Sequence, residues 1–314
     1  MKAYFLQSAG DKMDLELREV PVPQPGPEQL LVRIRASSLN RGELIPGHGL
    51  IAPGAAKPAG QEAAGEVEGT GQRVMGRCPG GFAEYGLMAA SDAMPVPANL
   101  SWEEAGAIPL AFMVVHDMLV EQGRLQPGEW LLVTGISSGV GVAALQAAKA
   151  MGARVIGTSG SRQKLEKLEQ LGLDVGIETR KADFHDAVMK ATLGKGVDLV
   201  VNTVGGSVFA ECIRVSAYQG RLATVGYLDR VMKAELDIDA LHAKRLRLFG
   251  VSNKHRSAGE RAATVRGVIA DFLPHFAAGR IRPLIDRVYR FDELPAAKAY
   301  VESDAHLGKV AIRI

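Results

Sequence analysis

Cysteine is almost missing from this chain. Its 314 residues include two, Cys78 and Cys212, which excludes a disulfide framework and fits a reducing cytoplasm. Surplus charge is missing too. A net charge of +2 offers no bulk electrostatic pull toward nucleic acid or an anionic membrane, so neither partner is expected. No apolar run approaches the ~20 residues of a membrane span, and the opening MKAYFLQSAG has no long apolar core of a secretory signal. Low-complexity tracts and short-period repeats are absent. None of the seven histidines pairs with another at metal-ligand spacing on an expected helix, so each reads as a surface or packing residue. What is present is ordinary for a globular protein, 47% hydrophobic and 23% charged. At this length a single core usually stops growing, and two domains are expected.

The most informative stretch is Trp130 to Gly160, WLLVTGISSGVGVAALQAAKAMGARVIGTSG. Trp130 to Val133 is an apolar run of strand length closed by Thr134-Gly135. Gly139 and Gly141 open a segment in which Val142, Leu145, Ala148 and Met151 recur at helical spacing. Gly152 ends that helix, and Arg154 to Thr158 reads as a second strand. Strand, glycine turn, helix and strand make the first half of a dinucleotide-binding βαβ unit. Glycines let the backbone approach a pyrophosphate, and the helix N-terminus supplies free N–H groups and a positive dipole end.

The end of the second strand bears on which dinucleotide binds. NAD sites usually carry an acid about twenty residues after the glycines, to accept bonds from ribose hydroxyls. Here Thr158 to Lys164 contains none before Glu166, and Arg162 and Lys164 fall in the first turn of the next helix. Cations there oppose the helix dipole unless an anion is nearby, and a 2′-phosphate would be that anion. NADP(H) is the expected cofactor; a solvated basic helix face is the alternative for Arg162 and Lys164.

Around this unit the chain changes character. Up to about residue 40 the pattern is antiparallel strand, with alternation through Leu31 to Ala36 and a Pro21–Pro27 connector. Residues 41–60 read as a Gly/Pro-rich loop. Short strands are expected at Gly65–Val67, Gln72–Gly76 and Phe82–Tyr85, giving a mostly β first domain. Ser101 to Glu104 is a capping box for a helix running toward Ile108. Helices are expected over 165–171, 183–192 and 209–218, alternating with strands over 174–177, 197–202, 221–226 and 246–251. That alternation gives a parallel sheet whose ligand lies beyond the carboxyl ends, along the turns after Thr134, Thr158, Asn202, Gly226 and Phe249. A helix over 260–278, a strand at Val288–Phe291, a helix over 292–303 and a closing strand at Val310–Ile314 are expected to pack back onto the first domain. The cleft between the halves would then hold the nicotinamide.

Several stretches together carry a family resemblance over nearly the whole chain. They are Ser38-Leu39-Asn40-Arg41, Pro58 to Gly65, Gln72 to Gly76, Leu125 to Glu129, Ser137-Ser138-Gly139-Val140-Gly141, Lys195 to Asp198 and Gly308-Lys309. The sequence resembles the zinc-independent medium-chain dehydrogenase/reductases of the quinone oxidoreductase, zeta-crystallin-like group; Pro109 to Phe112 also resembles the enoyl reductase domains of polyketide synthases. The resemblance implies an α/β protein in which a GroES-like, mostly β catalytic domain (1–109 and 252–314) joins a Rossmann doubly wound parallel-sheet domain (110–251) that binds NADP(H). It also implies a homodimer through edge strands of the nucleotide domain.

Zinc members of the wider family hold a catalytic metal with Cys, His and Glu. Here Gln61 stands in the Gly-His-Glu position and two cysteines cannot form a four-thiolate site, so no metal is expected. Without a metal the natural acceptors are quinones, or alkenes conjugated to a carbonyl, which take hydride at carbon and develop charge on oxygen. The family's positions map Asn40 to the nicotinamide and substrate, where it either donates from its amide or merely forms a turn. Ser138, Gly139 and Val140 would contact the pyrophosphate. Gly160, Ser161 and Lys164 would hold the 2′-phosphate, with Arg180 compensating for a Tyr replaced by Thr179. Asn202 and Val204 would border adenosine, Gly226 and Tyr227 the ribose, and Phe249 and Val251 the nicotinamide. Ser138 replaces the commonest glycine, which is tolerable at negative φ. Leu44 and Val114 stand where relatives carry Tyr and Thr, leaving His116, Glu43 or water as proton donor. The reading is an NADPH-dependent reductase of quinones or enones. The alternatives are an NADP(H)-binding sensor or binding protein, or an enoyl or carbonyl reductase of a biosynthetic pathway.

Overall fold

A computed structural model describes residues 1–9, 12–44 and 56–314. The chain divides into two compact units, Met1–Met113 with Ala258–Ile314, and Val114–Ser257.

The first unit is built on antiparallel strands. β1 (Lys2–Ala9), β2 (Lys12–Glu19), β3 (Gln29–Ser38), β4 (Ala56–Pro58), β5 (Glu62–Val67), β6 (Arg73–Arg77), β7 (Tyr85–Ala89) and β8 (Ala93–Pro95) come first. β4 pairs with β1, so residues 56–58, read from sequence as loop, are strand; Ile45 to Ala55 of that loop lie outside the described residues. The strand expected over 82–85 begins instead at Tyr85. Ser101 accepts from the Glu104 N–H and Glu104 from the Ser101 N–H. This capping box starts α1 (Trp102–Ala105), after which α2 (Pro109–His116) runs to the edge of the unit.

The second unit follows the expected alternation. After β9 (Trp130–Thr134) come α3 (Gly139–Ala150), β10 (Arg154–Ser159), α4 (Arg162–Glu169), β11 (Val175–Glu178), α5 (His185–Ala191) and β12 (Val197–Asn202). They are followed by α6 (Phe209–Val215), β13 (Ser216–Thr224), α7 (Ile238–Ala243) and β14 (Arg247–Gly250). All six strands pair in parallel, in the order β11-β10-β9-β12-β13-β14. Sequence order reverses between β9 and β12, the switch point where open parallel sheets bind ligands. Leu132, Ile156, Phe184, Val200, Ile213 and Leu222 form the buried core beneath one face, each contributing on the order of 1.5–3 kcal/mol.

The chain then returns to the first unit through α8 (Ala258–Asp271), α9 (Leu273–Ala277), β15 (Ile285–Arg290), α10 (Leu294–Glu302) and β16 (Lys309–Arg313). β16 inserts between β15 and β3, completing a seven-stranded sheet. The helix expected over 260–278 is two helices. Pro274 sits in the first turn of α9, and Phe112 packs edge-on against both Phe272 and Phe276, with ring centroids 5.9 and 4.7 Å away.

Candidate functional site

The carboxyl ends of the parallel strands lie in one row, because Asn202 is in register with both Thr134 and Thr224, and Thr224 with Gly250. Gly157 pairs with Val133, which adds Thr158 to the row. The turn after β9 is clipped to β10. Ile136 N–H donates to the Thr158 carbonyl at 2.9 Å and Gly135 N–H to the Thr158 hydroxyl at 3.2 Å. Gly135 has φ +64°, accessible to glycine at little cost. Ser138 has φ −71° and caps α3, its Oγ accepting from Gly141 N–H at 3.0 Å. A serine in place of glycine is therefore unstrained and useful. The N–H groups of Gly139 and Val140, in the first turn, have no intrahelical acceptor and are oriented out of the helix end. A Cβ on Gly141 would lie 2.5 Å from the Ile136 carbonyl oxygen, so the turn closes this tightly only with glycine there. A cradle of backbone N–H groups at a positive helix end suits a phosphate.

At the end of β10, Ser161 caps α4 through the Lys164 N–H, and the Lys164 side chain is half-buried. Thr179 N–H donates to the Ser159 carbonyl at 2.9 Å, drawing the segment after β11 alongside. The Arg180 guanidinium consequently lies over Gly160, close enough that a Cβ on Gly160 would clash with Arg180 Nε. Gly160, Ser161, Lys164 and Arg180 thus gather at one corner. Arg162 is committed elsewhere: it pairs along its own helix with Glu166 at 3.3 Å and Glu169 at 2.7 Å. Those pairs are what the solvated-face reading of its charge expects.

Asn202 is fully buried and its amide is hydrogen-bonded inside the protein. Its Oδ1 accepts from the Thr134 hydroxyl and from the N–H groups of Val204 and Gly205 at 3.0–3.1 Å, and its Nδ2 donates to the Gly205 carbonyl at 2.9 Å. It builds the turn that carries Val204. The following turn folds alongside, with Val225 N–H on the Asn202 carbonyl and Asp229 N–H on that of Val204. Gly226 and Tyr227 therefore stand next to Val204, both half-buried. Val251 N–H donates to the Thr224 carbonyl, setting Phe249 and Val251 at the same rim.

Asn40 belongs to the first unit and to a network that sequence reading missed. Glu62, at 0% exposure, accepts from the Ser38 hydroxyl at 2.5 Å, Asn40 Nδ2 at 2.8 Å, Lys309 Nζ at 3.0 Å and Leu110 N–H at 2.8 Å. Lys309, itself buried, also donates to Asn40 Oδ1 at 2.7 Å and to the Leu39 carbonyl at 3.2 Å. Asn40 Nδ2 donates in addition to Glu43 Oε1 at 3.0 Å. Both amide protons thus already have acceptors, and a ligand oxygen must compete for one. Burial pushes the Glu43 carboxyl up to about 7, reinforced by the Glu62 charge and opposed by the Asn40 hydrogen bond and the Lys309 and Lys57 charges.

Leu44, at the position of a family Tyr, is buried; Val114, at that of a Thr, is half-buried. His116, the other proton-donor candidate, is buried in the second unit with Nδ1 3.4 Å from Glu121 Oε1. Among the described residues no group of three His, Cys, Asp or Glu side chains is arranged to hold a metal ion. No helix among them is long and apolar enough to cross a membrane.

Comparison with known proteins agrees with this architecture. The profile of a family described as zinc-binding dehydrogenase matches residues 139–265, a stretch that begins at α3 and excludes Gln61. A phenolphthiocerol/phthiocerol polyketide synthase of Mycobacterium tuberculosis is 32% identical over 311 residues. That match takes in 96% of this chain but 14% of the synthase, so the chain corresponds to a small part of that relative. The human synaptic vesicle membrane protein VAT-1 homolog is 28% identical over 96% of this chain and 83% of its own. Among solved structures, a quinone oxidoreductase from Thermus thermophilus, determined alone and with NADPH, superposes with a TM-score of 0.87 at 28% identity, covering 100% of both chains. Together with the parallel sheet and the glycine turn, these likenesses support a medium-chain dehydrogenase/reductase of the quinone oxidoreductase-like type.

Proposed function

We propose that this protein is an NADPH-dependent reductase of quinones or of the C=C bond of α,β-unsaturated carbonyls, acting without a metal. The observation that carries the reading is the corner where Arg180 lies over Gly160 beside Ser161 and Lys164. A cationic corner with no acid at the end of β10 itself suits a 2′-phosphate better than a ribose 2′-hydroxyl. NADPH bound to the Thermus quinone oxidoreductase supports the same cofactor. When bound, the cofactor supplies hydride. The chain's own part is to seat the phosphates on the Gly139 and Val140 N–H groups, to border the nucleoside with Val204, Gly226 and Tyr227, and to orient the acceptor at Asn40. The metal-free reading rests on Gln61 and on two cysteines that lie buried in different units. A homodimer is part of the proposal: β14 is an edge strand with Leu248 exposed, and α7, which precedes it in the chain, buries none of its residues. A cytoplasmic location, suggested by the scarcity of cysteine, is another part.

The polyketide synthase match favours one second reading, an enoyl reductase acting on a carrier-bound or thioester enoyl chain. The deciding experiment follows NADPH and NADH consumption with a benzoquinone, a linear enone, a cyclic enone, a crotonyl thioester and a simple aldehyde. Turnover of quinone or enone with NADPH is the expected result. Thioester turnover alone would favour the second reading, and tight NADPH binding with no turnover would point to a sensor.

A further inference from the structure

The network around Asn40 holds two buried carboxylates and one buried ammonium. Glu62 accepts four donors, among them the Lys309 ammonium. Glu43, in the single 3₁₀ turn Arg41–Leu44 that follows β3, is nearly as buried, and its hydrogen-bond donor in the network is the neutral Asn40 amide. Lys309 balances Glu62, so a second negative charge at Glu43 has no matched partner inside the network. Among the elements packed on this turn, β4 brings Lys57, whose charge draws the carboxyl down but is outweighed by burial. On α10, Lys298 and Glu302 pair with each other, and Asp304 just beyond it engages Arg41. Glu43 therefore ionises less readily than an exposed carboxyl, and burial that raises it to about 7 agrees with that count.

Asn40 is the member of this network that reaches the surface: it is half-buried, whereas Ser38, Glu43, Glu62 and Lys309 are all buried. Any signal from the network passes outward through its amide. With Glu43 ionised, the Asn40 N–H at 3.0 Å is held by a charge-assisted bond; with Glu43 protonated, that bond weakens and the N–H is easier to redirect.

We propose that Glu43 is a positioning residue acting through Asn40: protonated, it yields one Asn40 N–H to the carbonyl or quinone oxygen of the acceptor, and ionised, it withdraws it. The inference rests on the reductase reading for the identity of the acceptor. As pH rises through about 7, Glu43 loses its proton and the donor is withdrawn, so acceptor affinity and kcat/KM both fall.

The test compares wild type with Glu43→Gln and Asn40→Ser, each checked for native circular dichroism. Two quantities are followed from about pH 6 to 9: kcat/KM for 2-cyclohexen-1-one with NADPH, and binding of the same enone by saturation-transfer NMR. Wild type is expected to decline by up to about tenfold per pH unit above the inflection, and both variants to lose the inflection. Asn40→Ser loses it because nothing remains to transmit the change. Retention of the inflection in Glu43→Gln or in Asn40→Ser, its absence in wild type, or no binding of the enone at any pH overturns the proposal. Enone binding with the inflection but no reduction refutes the reductase reading and leaves Glu43's role standing.

Discussion

Removing the ammonium of Lys309 while keeping its bulk, as in Lys309→Met, tests whether the buried network holds the first unit together. Lys309 Nζ lies 3.0 Å from Glu62 Oε1, and the two side chains are 8% and 0% exposed. At that distance and an effective dielectric constant of about 20, the attraction is roughly 5 kcal/mol. Its net worth is smaller, because both charges were taken out of water, yet deleting one partner strands the other and costs about 3–5 kcal/mol. Asn40 Oδ1 and the Leu39 carbonyl lose their donor in the same substitution. For a cooperative unit of this size the midpoint falls about 2–4 °C per kcal/mol, so calorimetry should show a loss of roughly 6–20 °C. The transition of the second unit, which contains neither residue, is expected to move much less. The double variant Glu62→Gln/Lys309→Met removes both charges and should recover at least half of the loss. A single variant within about 1 kcal/mol of wild type, or a double variant worse than the single, would refute the idea that unpaired charge is the cost.

The remaining expectations concern the nucleotide unit and the thiols. Arg180→Ala should raise the NADPH dissociation constant about tenfold or more, the worth of one charge-assisted phosphate contact, and leave NADH unchanged; equal losses in fluorescence titrations would sink the assignment. Lys164→Ala is expected to discriminate in the same direction. Gly141→Ala places a methyl 2.5 Å from the Ile136 carbonyl oxygen, and overpacking of this kind costs about 1–3 kcal/mol with a matching weakening of NADPH binding; unchanged stability in urea would show that the turn yields easily. Burial pushes the Cys78 thiol up to about 12 and that of Cys212 up as well. Neither thiol should therefore react with a disulfide reagent in the native protein at about pH 8, and both should react after denaturation.

What could be read from sequence, and what could not, divides by range of interaction. The β9–α3–β10 unit was legible because each of its signals is local: an apolar run, a capping Ser138, a glycine at the close approach, a second apolar run. The rim that these turns share follows from parallel alternation alone, and the strand register aligns it. Where an end is set from afar, the reading slipped. The helix expected to reach Tyr218 stops at Val215, because Lys244 Nζ donates to the carbonyls of Ile213, Arg214 and Ser216 and satisfies that helix end from about thirty residues away. Arg162 at the start of α4 has two partners along its own helix, Glu166 and Glu169, and these compete with any anion for its charge.

The network around Asn40 is the extreme case. Asn40 was singled out as a family position, but Glu62 lies 22 residues away from it and Lys309 lies 269 away. Neither residue carries a local signature; each is a charged side chain in a strand whose neighbours are apolar or small. Only the insertion of β16 against β3 brings Lys309 under Leu39 and Asn40. The pairing of β5 with β3 and the turn after β3 bring Glu62 and Glu43 to the same side chain, so that the Asn40 protons are already shared between two carboxyl groups. The chemistry open to Asn40 is therefore decided by the fold rather than by its own side chain, and the protonation of Glu43 becomes the variable that sets it.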